Sequence, residues 1–542
     1  MSTPEHNLAR LHEAVAAAVP DRACVIWRDR RLSWAEVTDR TRRLAAVLAA
    51  AGLGRTGARE RGRPWTSPHD HVALYLLNGN EYLEGMLGAA KARAAAFNVN
   101  HRYVASELER LLTDARARAV IYAGRFSTTL ADALDRLPEP PALLLRVDDG
   151  SADALLPGAL DYETALREAD PAAAPTDWSP DDLYVLYTGG TTGTPKGVLW
   201  RQADFLRTCL GVTGTTDAIV AAARSRAGLR ALPAPPFMHG AASWNAMSAW
   251  IAGGTVVVQD AVDRFDPADV LDTCERHEVS SLLIVGDAFA RPLVDELAAR
   301  PRDLRALRTV MTGGAILSAR VKEDLLALLP GARVVDILGS SETGRHGTHT
   351  SDAGSAASGT FDPSATTVVL SPDRSRVLPP GDPRIGWLAQ RGAVPLAYLG
   401  DAEATAATFP VIAGERYAVG GDRARLLDDG RIELHGRDSV TINTGGEKVF
   451  AEEVEQVLKA HPAVYDALVV GQPSERFGQE VAAVVRLRAG SSASPDDLRA
   501  HCGEHLARYK LPRTIVFRNH IARSPSGKPD YAWARAELDQ AD

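Results

Sequence analysis

Cysteine is scarce. Four residues, Cys24, Cys209, Cys274 and Cys502, are scattered over 542 positions, and no two have the spacing of a metal site or a redox pair. A disulfide-stapled scaffold or a thiolate metal site is therefore excluded, and a reduced, cytoplasmic protein is the simplest expectation. Long apolar runs are missing as well. None approaches the roughly 20 residues needed to cross a bilayer, so no transmembrane segment is expected, and polar residues 1–10 lack the apolar core of a signal peptide. There is no long basic block. The net charge of −8 is spread along the chain, which argues against nucleic acid as a partner. Phosphate ligands stay open, because local loops bind those. No internal repeat is found.

What is present is an ordinary soluble composition, 45% apolar and 24% charged. The length exceeds that of one core, so two or more domains are expected. Between residues 72 and 123, strand-like segments (72–77, 95–99, 119–123) alternate with helix-like ones (81–92, 105–114). That alternation predicts an α/β fold with a doubly wound, largely parallel sheet. Further helices are expected over 11–19 and 34–51, with a strand over 23–27. Residues 54–70 and 168–182 read as loop and linker, and 347–364, poor in large apolar residues, as a mobile loop. After residue 437 the pattern changes to a compact α+β unit of about 100 residues, an ordinary domain size. The expected division is 1–437 and 438–542.

The densest chemical signal is Tyr187-Thr188-Gly189-Gly190-Thr191-Thr192-Gly193-Thr194-Pro195-Lys196-Gly197, entered and left by apolar runs. Glycines allow close backbone approach, and hydroxyls, N–H groups and one ammonium suit a polyphosphate. It is not a Walker A loop, since Lys196 lies between Pro195 and Gly197 rather than before Ser or Thr. Taken alone, a Gly/Thr-rich surface turn fits it equally well. Four more segments stand out: Leu232-Pro-Ala-Pro-Pro-Phe237-Met238-His239-Gly240; Gly313-Gly314-Ala315 after an apolar strand; Gly339-Ser340-Ser341-Glu342 after the strand that holds Asp336; and Tyr417-Ala-Val-Gly-Gly421-Asp422. Near the end lie Gly436-Arg437-Asp438-Ser439, Gly445-Gly446-Glu447-Lys448 and Ser526-Gly527-Lys528.

Together these segments resemble the motif series of the adenylate-forming enzymes, in family order and across most of the chain. The set is closest to that of actinobacterial synthetases for long-chain and steroid side-chain carboxylates. Gly189 replaces the usual serine, Leu338 the usual aromatic, Gly420 the usual threonine, and Trp244 lies one position from the usual gating tryptophan. The resemblance implies an acyl-CoA ligase using ATP, Mg²⁺ and coenzyme A, with a large N-terminal domain and a small mobile C-terminal one. It implies catalytic roles for Lys528, Glu342 and His239. ATP or AMP would contact Thr188, Gly189, Gly190, Thr191, Thr192, Gly193, Lys196, Gly313, Gly314, Ala315, Asp336, Gly339, Ser340, Ser341, Asp422 and Arg437. The acyl group would lie on His239, Trp244 and Asp287, and the magnesium ion on Glu342 and Thr191. Gly445, Gly446 and Lys448 would meet coenzyme A, and Asp438 and Ser439 would form the hinge. The partners implied are a small carboxylate, ATP and coenzyme A. A carrier-protein acceptor, a homodimer, and a nucleotide-binding regulator without catalysis remain alternative readings.

Overall fold

The computed structural model describes every residue except 1–3, 59, 61, 189–194, 357–358, 445–446, 475–476 and 541–542. Helix starts are set locally. Ser33 and Glu36 cap the helix Trp34–Ala50 reciprocally, side chain to backbone in both directions. Asp266 and Pro267 open the helix Pro267–Arg276 in the same economical way.

Two parallel sheets form the larger part. One contains His71–Tyr75, Ala95–Asn98, Ala117–Ala123, Leu143–Val147 and Leu160–Asp161. The other runs Ala23–Trp27, Thr255–Val258, Arg230–Pro233, Ser281–Ile284, Thr309–Gly313, Arg333–Ser340 in spatial order, all parallel. Thr255–Val258 is buried at every position, as expected of a strand covered by helices on both faces. Antiparallel strands extend this second sheet to fourteen. A three-stranded ribbon, Leu183–Thr188, Lys196–Arg201 and Ala397–Tyr398, lies apart from both.

The short turn Asp438–Val440 separates the last strand of the large sheet, Ile432–Arg437, from a five-stranded sheet that begins at Thr441–Thr444. The long hairpin Val464–Ser474 and Gly478–Leu487 is its spine. Alternate residues serve two cores: Ala467 and Val469 pack with Val454, Leu458 and Leu498, while Leu468 and Val470 pack with Ala534 and Leu538.

One expectation is corrected. Residues 347–364 are not a loop throughout. Strand Gly344–Ser351 pairs with Arg333–Ser340, and Thr360–Pro363 pairs with Gly344–Ser351. Ladder hydrogen bonds from a buried neighbour supply what the small polar side chains do not. Just past the strand Ser281–Ile284, the segment from Gly286 to Pro292 begins helix Gly286–Ala299. The four cysteines are all buried and free. Among the described residues no helix is long and apolar enough to cross a membrane.

Candidate active site

The parallel strands Arg230–Pro233, Ser281–Ile284, Thr309–Gly313 and Arg333–Ser340 all end on one side of the sheet. In open α/β sheets that side is where ligands are held. Here it opens on a cavity of about 590 Å³. His239, Val285, Gly313, Gly314, Ser340 and Ser341, each at or just beyond a strand end, line it. So do Thr188 and Pro195 from the ribbon, and Ser524, Pro525, Ser526 and Lys528 from the small sheet's end of the chain.

Two asparagines hold this end together. Asn98 donates to the carbonyls of Tyr187 (2.8 Å) and Met238 (2.7 Å) and accepts from the Tyr187 N–H (2.8 Å). Asn78 accepts from the Phe237 N–H at 2.6 Å and donates to the Pro235 carbonyl at 3.1 Å. The ribbon strand and the His239 turn are thereby fixed to one another. The Trp200 indole donates to the Ser341 carbonyl at 3.1 Å, and Ser340 bonds Thr343 at 3.0 Å. These contacts steady the turn that carries Glu342. The Tyr398 hydroxyl donates to Glu342 Oε1 at 3.2 Å, and Asp401 pairs with Lys196 at 3.0 Å.

Asp422 and Arg437 are direct cross-strand partners, and Arg437 Nε lies 3.3 Å from Asp422 Oδ1. Burial pushes the Asp422 carboxyl up, and the Arg437 cation opposes that shift. Asp422 in turn holds Arg437 charged.

Lys528 arrives from the far end of the chain. Its turn is closed by the Ser524 N–H on the Lys528 carbonyl (2.9 Å) and the Gly527 N–H on the Ser524 carbonyl (2.8 Å). Arg523, paired with Asp466 at 2.8 Å, ties the turn to the small sheet. Gly527 has φ +75°, and an added Cβ would sit 3.2 Å from Phe289 and Val285, so glycine is required both by conformation and by the close docking. Gly314, φ +81°, lies below the Lys528 stem, where an added Cβ would be 3.8 Å from Lys528 Cε. Burial lowers the Lys528 pKa and Arg437 adds to this, while Glu342 and Asp422 oppose it. His239 is lowered to about 3 by burial, then by Lys528, His101 and Arg102. It is therefore neutral at physiological pH, and its Nε2 has no hydrogen-bond partner among the described residues.

The rest of the cavity is mostly apolar. One wall is helix Gly240–Ile251, which presents Ala241, Trp244, Asn245, Ser248 and Ala249, with Ala252 following. That three- and four-residue spacing is one helical face. From Ala241 to Ala252 it extends roughly 16 Å at the rise of an α-helix. Ala231, Leu283 and Met311 form the opposing wall. The Trp244 indole donates to the Tyr184 hydroxyl at 2.9 Å, which fixes the ring as a wall. Asn245 donates to Met311 Sδ at 3.4 Å.

Not every expected site residue reaches the cavity. Asp287 is buried beside it, accepting from the Ser318 N–H (2.8 Å) and hydroxyl (3.0 Å) and facing Arg291; it organises the entry to helix Ala319–Leu328 instead of lining the acyl wall. Asp336 points away from the nucleotide end because it pairs with buried Lys322 at 2.7 Å. Lys448 is exposed beside the Asp438–Val440 turn, 4.0 Å from Asp438, which also lies 3.9 Å from Arg423. Ser439 lies within that turn, and Ala315 sits against Gly286 at the foot of the neighbouring helix. Gly339 and Gly313 are where expected, at the strand ends. Gly189, Gly190, Thr191, Thr192, Gly193, Gly445 and Gly446 lie outside the described residues. Sequence reading missed Asn78, Asn98, Tyr398, Asp401 and Arg523. Their only signal is a polar residue next to an apolar strand or Gly turn, which many residues share.

The fold and this cavity define a nucleotide-dependent enzyme of two unequal parts, and the chain belongs to the AMP-binding enzyme family. Residues 12–396 match the AMP-binding enzyme family and residues 453–528 its C-terminal domain. Over 544 residues, 99% of either chain, it is 50% identical to the medium-chain acyl-CoA ligase Mig of Mycobacterium avium. It is 38% identical to the 3-oxocholest-4-en-26-oate–CoA ligase of Rhodococcus rhodochrous, with 98% of this chain and 95% of that one aligned. The crystal structure of the anthranilate CoA ligase AuaEII with anthranoyl-AMP superposes with a TM-score of 0.84 at 21% identity, covering 99% of this chain and 98% of that one. At that identity the likeness is one of fold.

Proposed function

We propose that this chain is an ATP-dependent acyl-CoA ligase for medium- to long-chain or steroid side-chain carboxylic acids. The observation that carries the reading is a cavity lined at one end by Lys528, whose titration feels Glu342, Asp422 and Arg437 just behind it, and at the other by a mostly apolar channel. An extended chain of C–C bonds about 1.5 Å long advances roughly 1.25 Å per carbon. The helix face of roughly 16 Å therefore matches about a dozen carbons.

A carboxylate is a poor acyl donor, because its leaving group would be oxide. Its oxygen forms a bond to the α-phosphorus of ATP, and pyrophosphate leaves. A thiolate of coenzyme A then attacks the acyl carbon, and AMP leaves. We assign Lys528 to bridge the acyl carboxylate and the α-phosphate, where a compact ammonium stabilises charge as it develops. Its lowered pKa reflects a dry setting in which that charge acts strongly. Asp422 is assigned to the two ribose hydroxyls and Arg437 to ribose and phosphate. Thr188, Lys196 and the Gly/Thr loop between them are assigned to the phosphates. Gly313, Gly314, Ala315, Gly339, Ser340 and Ser341 take the adenine and the acyl carboxylate. Glu342 offers hard oxygen beside a phenol donor, which fits a magnesium ion; when bound, the ion would neutralise phosphate charge. His239, neutral, divides the nucleotide from the acyl channel, and Trp244 is a wall of that channel.

The two steps need different faces of the small domain. We place the boundary between 437 and 438, with Asp438 and Ser439 as the hinge. Rotation there would withdraw Lys528 and bring the Gly445, Gly446 and Lys448 face toward coenzyme A. The test is a panel of carboxylates assayed for pyrophosphate release with ATP, and then for thioester with coenzyme A or with a carrier protein. Acids of about a dozen carbons or steroid side-chain acids should exceed acetate in kcat/KM, and coenzyme A should be the better acceptor. Pyrophosphate release that favours acetate, or none with any acid, overturns the reading.

A further inference from the structure

The chain has fourteen histidines, four of them after residue 438: His461, His501, His505 and His520. Three of these four come together on the small domain. His501 and His505 lie four apart on helix Pro495–His505, so they share a face. Their rings are 5.2 Å apart, and the His461 ring, at the end of helix Ala451–Ala460, stands 5.1 Å from His501. Glu504 completes the group: one ligand atom each from His501, Glu504 and His505 lie within 4.8 Å of one another.

We propose that His501, Glu504 and His505, with His461 beside them, form a binding site for one transition-metal dication of the zinc, nickel and copper class. Imidazole nitrogens with one carboxylate suit those ions rather than magnesium or calcium, which favour oxygen ligands. The magnesium that accompanies ATP therefore does not compete for it. Two imidazoles and a carboxylate match the three protein ligands of an open zinc site, and the His461 ring stands beside them.

One detail argues for preparation rather than coincidence. His501 Nε2 donates to the Val457 carbonyl at 3.0 Å. This fixes the tautomer, leaves the Nδ1 lone pair as the free donor, and holds the ring in place. Metal-bound imidazoles are held in the same way, by a hydrogen bond from the second ring nitrogen to a carbonyl. Glu504 and His505 are exposed and free to close the remaining distance by rotamer adjustment. His505 also lies in the last helical turn, where positive charge is favoured by the helix dipole. The ion would lie on the helix Pro495–His505 beside the end of helix Ala451–Ala460, and none of its proposed ligands lines the cavity.

The experiment is a zinc titration of the full chain by calorimetry, without nucleotide and with magnesium in excess, repeated for His505→Ala. A cobalt titration read by visible absorption reports the ligand set. One zinc per chain is expected, with a rise in Tm at saturation. Loss of a second-sphere partner typically weakens metal binding about 10- to 100-fold, so loss of a ligand in His505→Ala should cost at least about tenfold. Pyrophosphate release should be unchanged in this variant, because His505 is outside the cavity. Glu504→Gln should show the same weakening, which guards against a folding defect in either variant. No zinc binding by the parent chain, or binding by the two variants as strong as by the parent, overturns the proposal.

Discussion

The two ends of the cavity are built by opposite means. At the charged end Lys528, from a separate domain, lines the cavity, backed electrostatically by Asp422 and Arg437 from adjacent strands and Glu342 from a turn. Burial displaces the Asp422 and Lys528 titrations in opposite directions, and each is offset by a neighbour of opposite charge. The apolar end is one face of one helix against three strands. Charge chemistry needs groups that arrive from distant parts of the chain and are held in a dry place. Length selection needs only shape, which local sequence can supply. A change at the first end should alter rate for every substrate, and a change at the second should alter which substrate is used.

Lys528→Ala tests the first half of that contrast. Adenylation should slow by about a hundredfold or more, the scale for one electrostatic group in a closed site. Thioester formation from supplied acyl-adenylate should be nearly intact. Adenylation at the parent rate would reduce Lys528 to a bystander.

Ala249→Phe tests the second half. The added ring would fill the channel beyond Trp244, and overpacking of this kind costs about 1–3 kcal/mol. Acids of about a dozen carbons should lose roughly tenfold or more in kcat/KM, since 1.4 kcal/mol is a factor of ten. Short acids should be nearly unaffected. Equal losses for both lengths would break the comparison.

Ser439→Pro sharpens it by separating the half-reactions. Proline fixes φ near −65° and restricts the residue before it. Acyl-adenylate should still form, while thioester formation falls by about tenfold, or about 1.4 kcal/mol of barrier. If both steps fall together, the rotation is centred elsewhere.

The smallest effect concerns stability. His346 is buried, and burial lowers its pKa from 6.5 to about 3. The unfolded chain binds this proton first as pH falls, so the contribution is fully present above pH 6.5 and lost on going down toward pH 3. At about 1.4 kcal/mol per pH unit, His346→Leu should lose about 2 kcal/mol less than the parent between pH 6.5 and 5. Denaturant melts at the two pH values measure it; parallel losses in both proteins would show that His346 is charged in the folded state.

Much of this protein was legible before any coordinates. The alternating pattern between residues 72 and 123 gave strands and helices to within a residue or two, because burial of both sheet faces leaves a continuous apolar signature. Residues 347–364 were not legible, because their strands are formed by a neighbour's hydrogen bonds and not by their own side chains.

The sequence by itself determined which chemical groups exist and their order: a Gly/Thr loop with Lys196, an acid after the strand that ends at Ser340, Asp422, Arg437 and a late Lys528. These are local patterns, and glycine turns and strand ends can be read from neighbours in the chain. Only the tertiary structure decided which of them meet. Asp336 and Asp287 carry the same carboxylate as Asp422, yet Lys322 and Ser318 claim them, and Lys528 reaches the cavity because Gly527 lets its turn dock on Phe289 and Val285. Electrostatic and packing interactions fall off over a few ångströms, and distance along the chain carries no record of them.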